Sequence, residues 1–70
     1  MRNDLFYFRR KKKISQTEMG KELGIHYTNY STKENGNREF NLSEAKIVAD
    51  RLGITIDQMY EMLTSYETEG

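Results

Sequence analysis

Apolar residues recur along this chain at the three- and four-residue intervals that put side chains on one helix face. Leu5 and Phe8 share such a face on a first helix that begins near Asn3, a residue suited to N-capping. That helix runs into Arg9-Arg10-Lys11-Lys12-Lys13, cations that suit a helix C-terminus, and Phe6 and Tyr7 cannot both lie on its inward face. Met19 and Leu23, one turn apart, give a second helix over Gln16 to Leu23. Ser15 and Glu18 start it as a capping box, and Gly24 supplies the left-handed step that ends it. Ile25 then plugs a corner. A third helix, about Tyr27 to Glu34, turns Tyr30 inward and leaves Tyr27, Thr28, Ser31 and Thr32 on a polar outer face, with Asn35-Gly36 closing it.

The same grammar repeats downstream. Asn41 and Glu44 cap a fourth helix whose inward set is Leu42, Ala45, Val48, Ala49 and Leu52, stopped by Gly53. Thr55 and Gln58 start a fifth, with Ile56, Met59, Tyr60 and Leu63 as its stripe and Met62 and Tyr66 to the side. The prediction is an all-α, compact five-helix domain over residues 1–66 with a frayed tail at 67–70. Its expected core includes Leu5, Phe8, Met19, Leu23, Ile25, Tyr30, Leu42, Val48, Ala49, Leu52, Ile54 and Met59. The chain has no proline, and Phe40 is read as the residue that anchors the loop at 37–41.

Two short helices around a glycine turn, at 15–36, have the layout of a DNA-reading helix-turn-helix, although any small helical bundle can contain such a pair. The wording is more specific. Ile14-Ser15-Gln16, Leu23-Gly24-Ile25, Glu34-Asn35-Gly36, then Leu42, Ala49 and Leu52-Gly53-Ile54 fall in register with the lambdoid phage repressor and Xre-type helix-turn-helix family. The chain resembles that family from about Leu5 to Tyr60.

The resemblance implies a function and a set of residues. Tyr27, Thr28 and Thr32 match the family's base-reading positions in the third helix, with His26 at the helix cap beside them. Threonine can offer a hydroxyl to a base and a methyl to thymine. Tyr27 stands where Gln or Arg is common; its ring could pack on a thymine methyl or its hydroxyl reach a phosphate. Gln16, at a helix N-terminus, and Asn35, Asn37 and Arg38 after the third helix are expected to meet phosphates. Gln16 could instead complete a cap, and Asn35 could serve as a helix-ending residue in the left-handed region. An Arg at the position of Arg9 pairs, in the family, with the Glu of Glu-Asn-Gly, which implies a structural bridge from Arg9 to Glu34.

Three positions depart from the family pattern. Gly20 replaces Ala in a close helix contact, keeping the space while weakening the helix by up to about 1 kcal/mol. Lys33 replaces a large apolar residue, so its stem would cover the core edge while its ammonium reaches outward, within range of a phosphate. Lys13 replaces a common Gly after the first helix, which suggests a turn built differently.

Composition narrows the function further. The 70 residues carry no net charge, yet residues 1–40 hold nine Lys or Arg against five Asp or Glu, and residues 41–70 hold two against six. The +4 and −4 halves form a dipole whose basic part carries the helix-turn-helix. The cationic run at 9–13 could bind phosphate or act as a targeting signal, and it reads first as a solvated helix end that adds to the general attraction for DNA. With one histidine, no cysteine, no metal-spaced cluster and no phosphate-cradling glycine loop, the chain is not expected to be an enzyme, and no cofactor, metal or small-molecule ligand is implied. Without a transmembrane run or signal-peptide core, the expected location is cytoplasmic.

These features lead to a sequence-specific regulator of double-stranded DNA, a repressor in function, reading a palindromic operator. The expected species is a weak homodimer through Ile54, Ile56, Met62, Leu63 or Tyr66, whichever the core leaves exposed. The alternative is a protein-interaction module of the same fold, an antitoxin-like or anti-repressor partner with weak or no DNA binding.

Overall fold

The computed structural model describes residues 2–66, so the tail expected at 67–70 lies outside the described residues. Five helices follow one another: α1 (Asp4–Lys11), α2 (Gln16–Leu23), α3 (Tyr27–Glu34), α4 (Leu42–Leu52) and α5 (Ile56–Thr64). No strand occurs among the described residues; an isolated antiparallel bridge joins Asn3 to Tyr66. The fold is all-α.

Local chemistry sets the helix ends. Ser15 with Glu18, Asn41 with Glu44, and Thr55 with Gln58 each form both halves of a capping box at the starts of α2, α4 and α5. Each therefore satisfies two backbone donors that the helix geometry leaves without partners. Gly24 (φ 73°) and Gly53 (φ 74°) end α2 and α4 in the left-handed region, which a residue with a Cβ enters only under strain. Lys13 also stands there, at φ 63°. The turn after α1 is thus not built differently from one made by glycine: the lysine itself takes the left-handed conformation.

α2 packs chiefly on α3, α1 lies along α5, and α4 joins α2 to α5. The core between them holds Leu5, Met19, Tyr30, Val48, Leu52 and Met59, each essentially free of solvent contact, closed by Ile14, Phe40, Ala45 and Ala49. Burying one such large apolar side chain stabilises by roughly 1.5–3 kcal/mol, so a domain this small depends on nearly all of them. Phe8, Leu23, Ile25 and Ile54, expected in the core, pack against it only partly buried.

Leu42 corrects the expected core outright, being 75% exposed. It occupies the first position of α4, while Phe40 from the preceding loop reaches inward and meets the Tyr30 ring at a centroid distance of 5.9 Å. The loop aromatic closes this end of the core, and Leu42 projects past it. Ile14, absent from the expected core, is 5% exposed and fills the turn between α1 and α2.

Gly20 has a different role from the one expected. A Cβ there would lie 2.8 Å from the Ile25 carbonyl oxygen and 3.3 Å from the Tyr27 Cα. Its glycine does not keep an alanine-sized space; it lets the backbone leading into α3 approach α2 more closely than alanine allows.

Candidate nucleic-acid interface

α3 is held from beneath by one buried carboxylate. Glu34, 1% exposed, accepts from Arg9 Nε at 2.6 Å and Nη2 at 3.2 Å, from Tyr30 Oη at 2.8 Å and from Gln16 Nε2 at 3.0 Å. Arg9 spends its remaining reach on the Ile14 carbonyl at 2.6 Å. The network is fully satisfied, with no buried side-chain nitrogen or oxygen lacking a partner among the described residues. Satisfaction of that kind is what makes a buried ion pair tolerable in a small core. Burial, reinforced by the adjacent Glu34 carboxylate, pushes the Tyr30 phenol well above its ordinary value of 10.0, so it remains a donor.

Asn3 extends the network to the end of the fold, and its sequence signal is only that of an N-cap. Its Oδ1 accepts from the Phe6 amide at 3.0 Å, while its Nδ2 donates to the backbone carbonyls of Glu34 at 2.7 Å and Leu63 at 3.2 Å. One 2%-exposed side chain thereby joins the start of α1 to the ends of α3 and α5.

The opposite face of α3 is open. Tyr27 is 49% exposed, and Thr28 and Asn29 are exposed beside it. His26 is the N-cap of α3: its Nδ1 accepts from the Thr28 amide at 3.3 Å and lies 2.9 Å from Thr28 Oγ1. Because a backbone amide can only donate, Nδ1 is the acceptor and the neutral ring carries its proton on Nε2. The His26 and Tyr27 rings lie 4.8 Å apart and mutually restrict each other. Thr32, half-buried, donates its hydroxyl to the Thr28 carbonyl at 2.9 Å, leaving that oxygen free to accept from a ligand. Ser31 is not on this outer face: it is half-buried and accepts from Gln16 Nε2 at 3.3 Å.

The residues expected at phosphates divide by environment. Gln16 is half-buried, its amide nitrogen committed to Ser31 and Glu34. Asn35, Asn37 and Arg38 are exposed after α3. Asn35 does not take the left-handed step, standing at φ −86°; Gly36 does so at φ 90°. The Asn35 carboxamide oxygen instead accepts from the Asn37 amide at 3.1 Å, which orders this loop. Lys33 lies along the core edge, and its Nζ pairs with Glu44 Oε1 at 2.5 Å. Its ammonium points to α4 rather than standing free.

Of the residues expected at a dimer surface, Ile54, Ile56, Met62 and Leu63 pack partly buried against the core. Tyr66, just beyond α5, is 49% exposed. Tyr60 is 40% exposed on the same helix, so α5 keeps apolar area on its outer side. Among the described residues no helix is long and apolar enough to cross a membrane.

A family model described as helix-turn-helix matches residues 5–59, spanning α1 to the middle of α5. The chain belongs to this family, the Xre-type helix-turn-helix domains, which are DNA-binding regulatory units. No curated protein and no solved structure matches it.

Proposed function

We propose that this protein is a transcriptional repressor that reads duplex DNA with α3 in the major groove. The observation that carries this reading is the two-sidedness of α3: Tyr30 and Glu34 are locked beneath it while Tyr27 and Thr28 stand open above. A rigid helix with an exposed polar N-terminal half suits base-edge recognition. In this reading Tyr27, Thr28, Thr32 and His26 meet bases. Thr28 and Thr32 supply methyls for thymine and hydroxyl oxygens for base amino groups, and His26 supplies its Nε2 proton.

Gln16, through its backbone N–H at the start of α2, and Asn35, Asn37 and Arg38 meet phosphates on either side. Lys33 joins them only by exchanging Glu44 for a phosphate oxygen. Two copies, associated weakly through the outer side of α5 and Tyr66, present two reading helices to a palindromic operator with half-sites about 34 Å apart.

The test is selection of a preferred site from a random duplex pool, followed by titration of the winner and a scrambled duplex at several salt concentrations. A palindromic winner, bound more tightly than the scrambled duplex and with a steep salt slope, is the expected result. A protein that binds neither duplex is an interaction module instead.

A further inference from the structure

We propose that the groove between the end of α1 and the start of α2 seats a phosphate of the DNA backbone, held by Lys13 and Arg10. This seat rests on the DNA-reading function above and adds a contact to it. Phe6, Arg10, Lys13, Ser15, Gln16 and Tyr27 line the groove, which therefore runs from the basic end of α1 to the open face of α3.

Lys13 is the informative residue. It is the sole non-glycine with positive φ among the described residues, at 63°, a conformation that glycine adopts without cost and a side chain with a Cβ does not. Strain of this sort persists at functional positions when the residue supplies something glycine cannot. Here that is a charge. Among the described residues the cations in ion pairs are Arg9, Lys33 and Arg51, so neither Lys13 nor Arg10 is neutralised by a carboxylate.

Arg10 is aimed by its neighbour. Its guanidinium carbon lies 5.5 Å from the centroid of the half-buried Phe6 ring, around which Arg2 at 4.4 Å and Arg9 at 5.2 Å also gather, and this limits where the side chain swings. Glu18, the acid on the groove wall, accepts from the Ser15 amide at 2.9 Å in the capping box, which holds its carboxylate at the helix start. Two cations with no carboxylate partner among the described residues, continuous with Gln16 and Tyr27, fit one more phosphate along the strand that the reading helix follows.

The experiment compares Lys13→Gly, Arg10→Gln and Lys11→Gln with the wild-type chain, measuring thermal midpoint and binding to specific and scrambled duplexes from 50 to 200 mM salt. Lys11 carries the same charge in the same run but does not line this groove; it lines a neighbouring one with Phe8 and Met62, whose wall Arg10 shares. Lys13→Gly is expected to melt at a higher temperature than wild type, because the backbone strain is gone, yet to bind both duplexes more weakly. Its salt slope flattens by about 0.9, so the wild-type advantage shrinks about threefold across that salt range. Arg10→Gln flattens the slope similarly, and Lys11→Gln leaves it at the wild-type value.

A wild-type slope in Lys13→Gly overturns the seat while the DNA-reading function stands. Equal flattening in Lys11→Gln also overturns it, since the run would then act as a diffuse field. A wild-type chain that binds no duplex removes both proposals together.

Discussion

The amide of Gln16 donates to the buried carboxylate of Glu34 across 3.0 Å, tying the first residue of α2 to the last residue of α3. The two helices of the helix-turn-helix are thus braced by a polar contact in addition to apolar packing. Glu34→Gln removes the charge that balances Arg9 and weakens the Tyr30 and Gln16 bonds together. Uncovering a buried cation in this way costs about 3–5 kcal/mol, a large part of the stability of so small a domain. Urea denaturation checks it: a midpoint within a few tenths molar of wild type contradicts the bracing role.

Glu44 gives the fold a response to acid. Burial raises its carboxyl pKa, but Lys33 at 2.5 Å and the Asn41 amide at 2.9 Å outweigh burial and hold it below its ordinary value of 4.5. A depressed pKa contributes stability that is present above 4.5 and lost as pH falls through the lower folded value. The stability gap between wild type and Glu44→Gln should therefore be widest near neutrality and close below pH 4.5. Urea midpoints measured from pH 7 to pH 3 test this, and a gap that does not change with pH would count against it.

Gly20→Ala should destabilise despite alanine's better helix propensity. The new methyl meets the Ile25 carbonyl at 2.8 Å, a backbone atom that can move only if α3 moves. Overpacking typically costs 1–3 kcal/mol against a propensity gain of about 1, for a net loss on the order of 1 kcal/mol. A thermal midpoint above wild type would show that α3 shifts freely. Gly20→Val should be worse than Gly20→Ala by the same logic.

The proposed dimer should be weak and should tighten on DNA. Asp57 and Glu61 are exposed on α5, so bringing two copies together adds repulsion that salt screens. Sedimentation should show dimer fraction rising with protein concentration, with salt, and with a palindromic duplex. Tyr60→Glu, at a 40%-exposed position on that surface, adds an acid there and should weaken association about tenfold, or about 1.4 kcal/mol. A strict one-to-one complex with a palindromic duplex at saturation excludes the dimer.

Helix ends were legible in the sequence because they are local. Ser15 with Glu18, and Asn41 with Glu44, are three residues apart, and no long-range information is needed to pair them. Leu42 was not legible: its spacing fits the inward face of α4, but whether the first turn lies over the core depends on how Phe40 folds back from the loop. Asn3 shows the same limit at the site. Its capping role follows from its neighbours, whereas its bonds to Glu34 and Leu63 cross 31 and 60 residues and leave no local trace. Lys33 was half legible, since its stem lies at the core edge as a long aliphatic chain should, while its partner Glu44 comes from another helix.

The Asn3 clasp also sets an order of events during synthesis. Its bond to the Leu63 carbonyl, and the Asp4 amide bond to Ser65 at 2.8 Å, need residues made some sixty positions later. A ribosome releasing the chain from its N-terminus can let α2 and α3 pair early, because their contacts close short loops. Arg9 of α1 can reach Glu34 at that stage, but the bonds of Asn3 and Asp4 to Leu63 and Ser65 cannot form until those residues are made. The clasp of Asn3 and Asp4 on Leu63 and Ser65 is therefore the contact with the longest loop to close, and it seals the fold by joining its two ends.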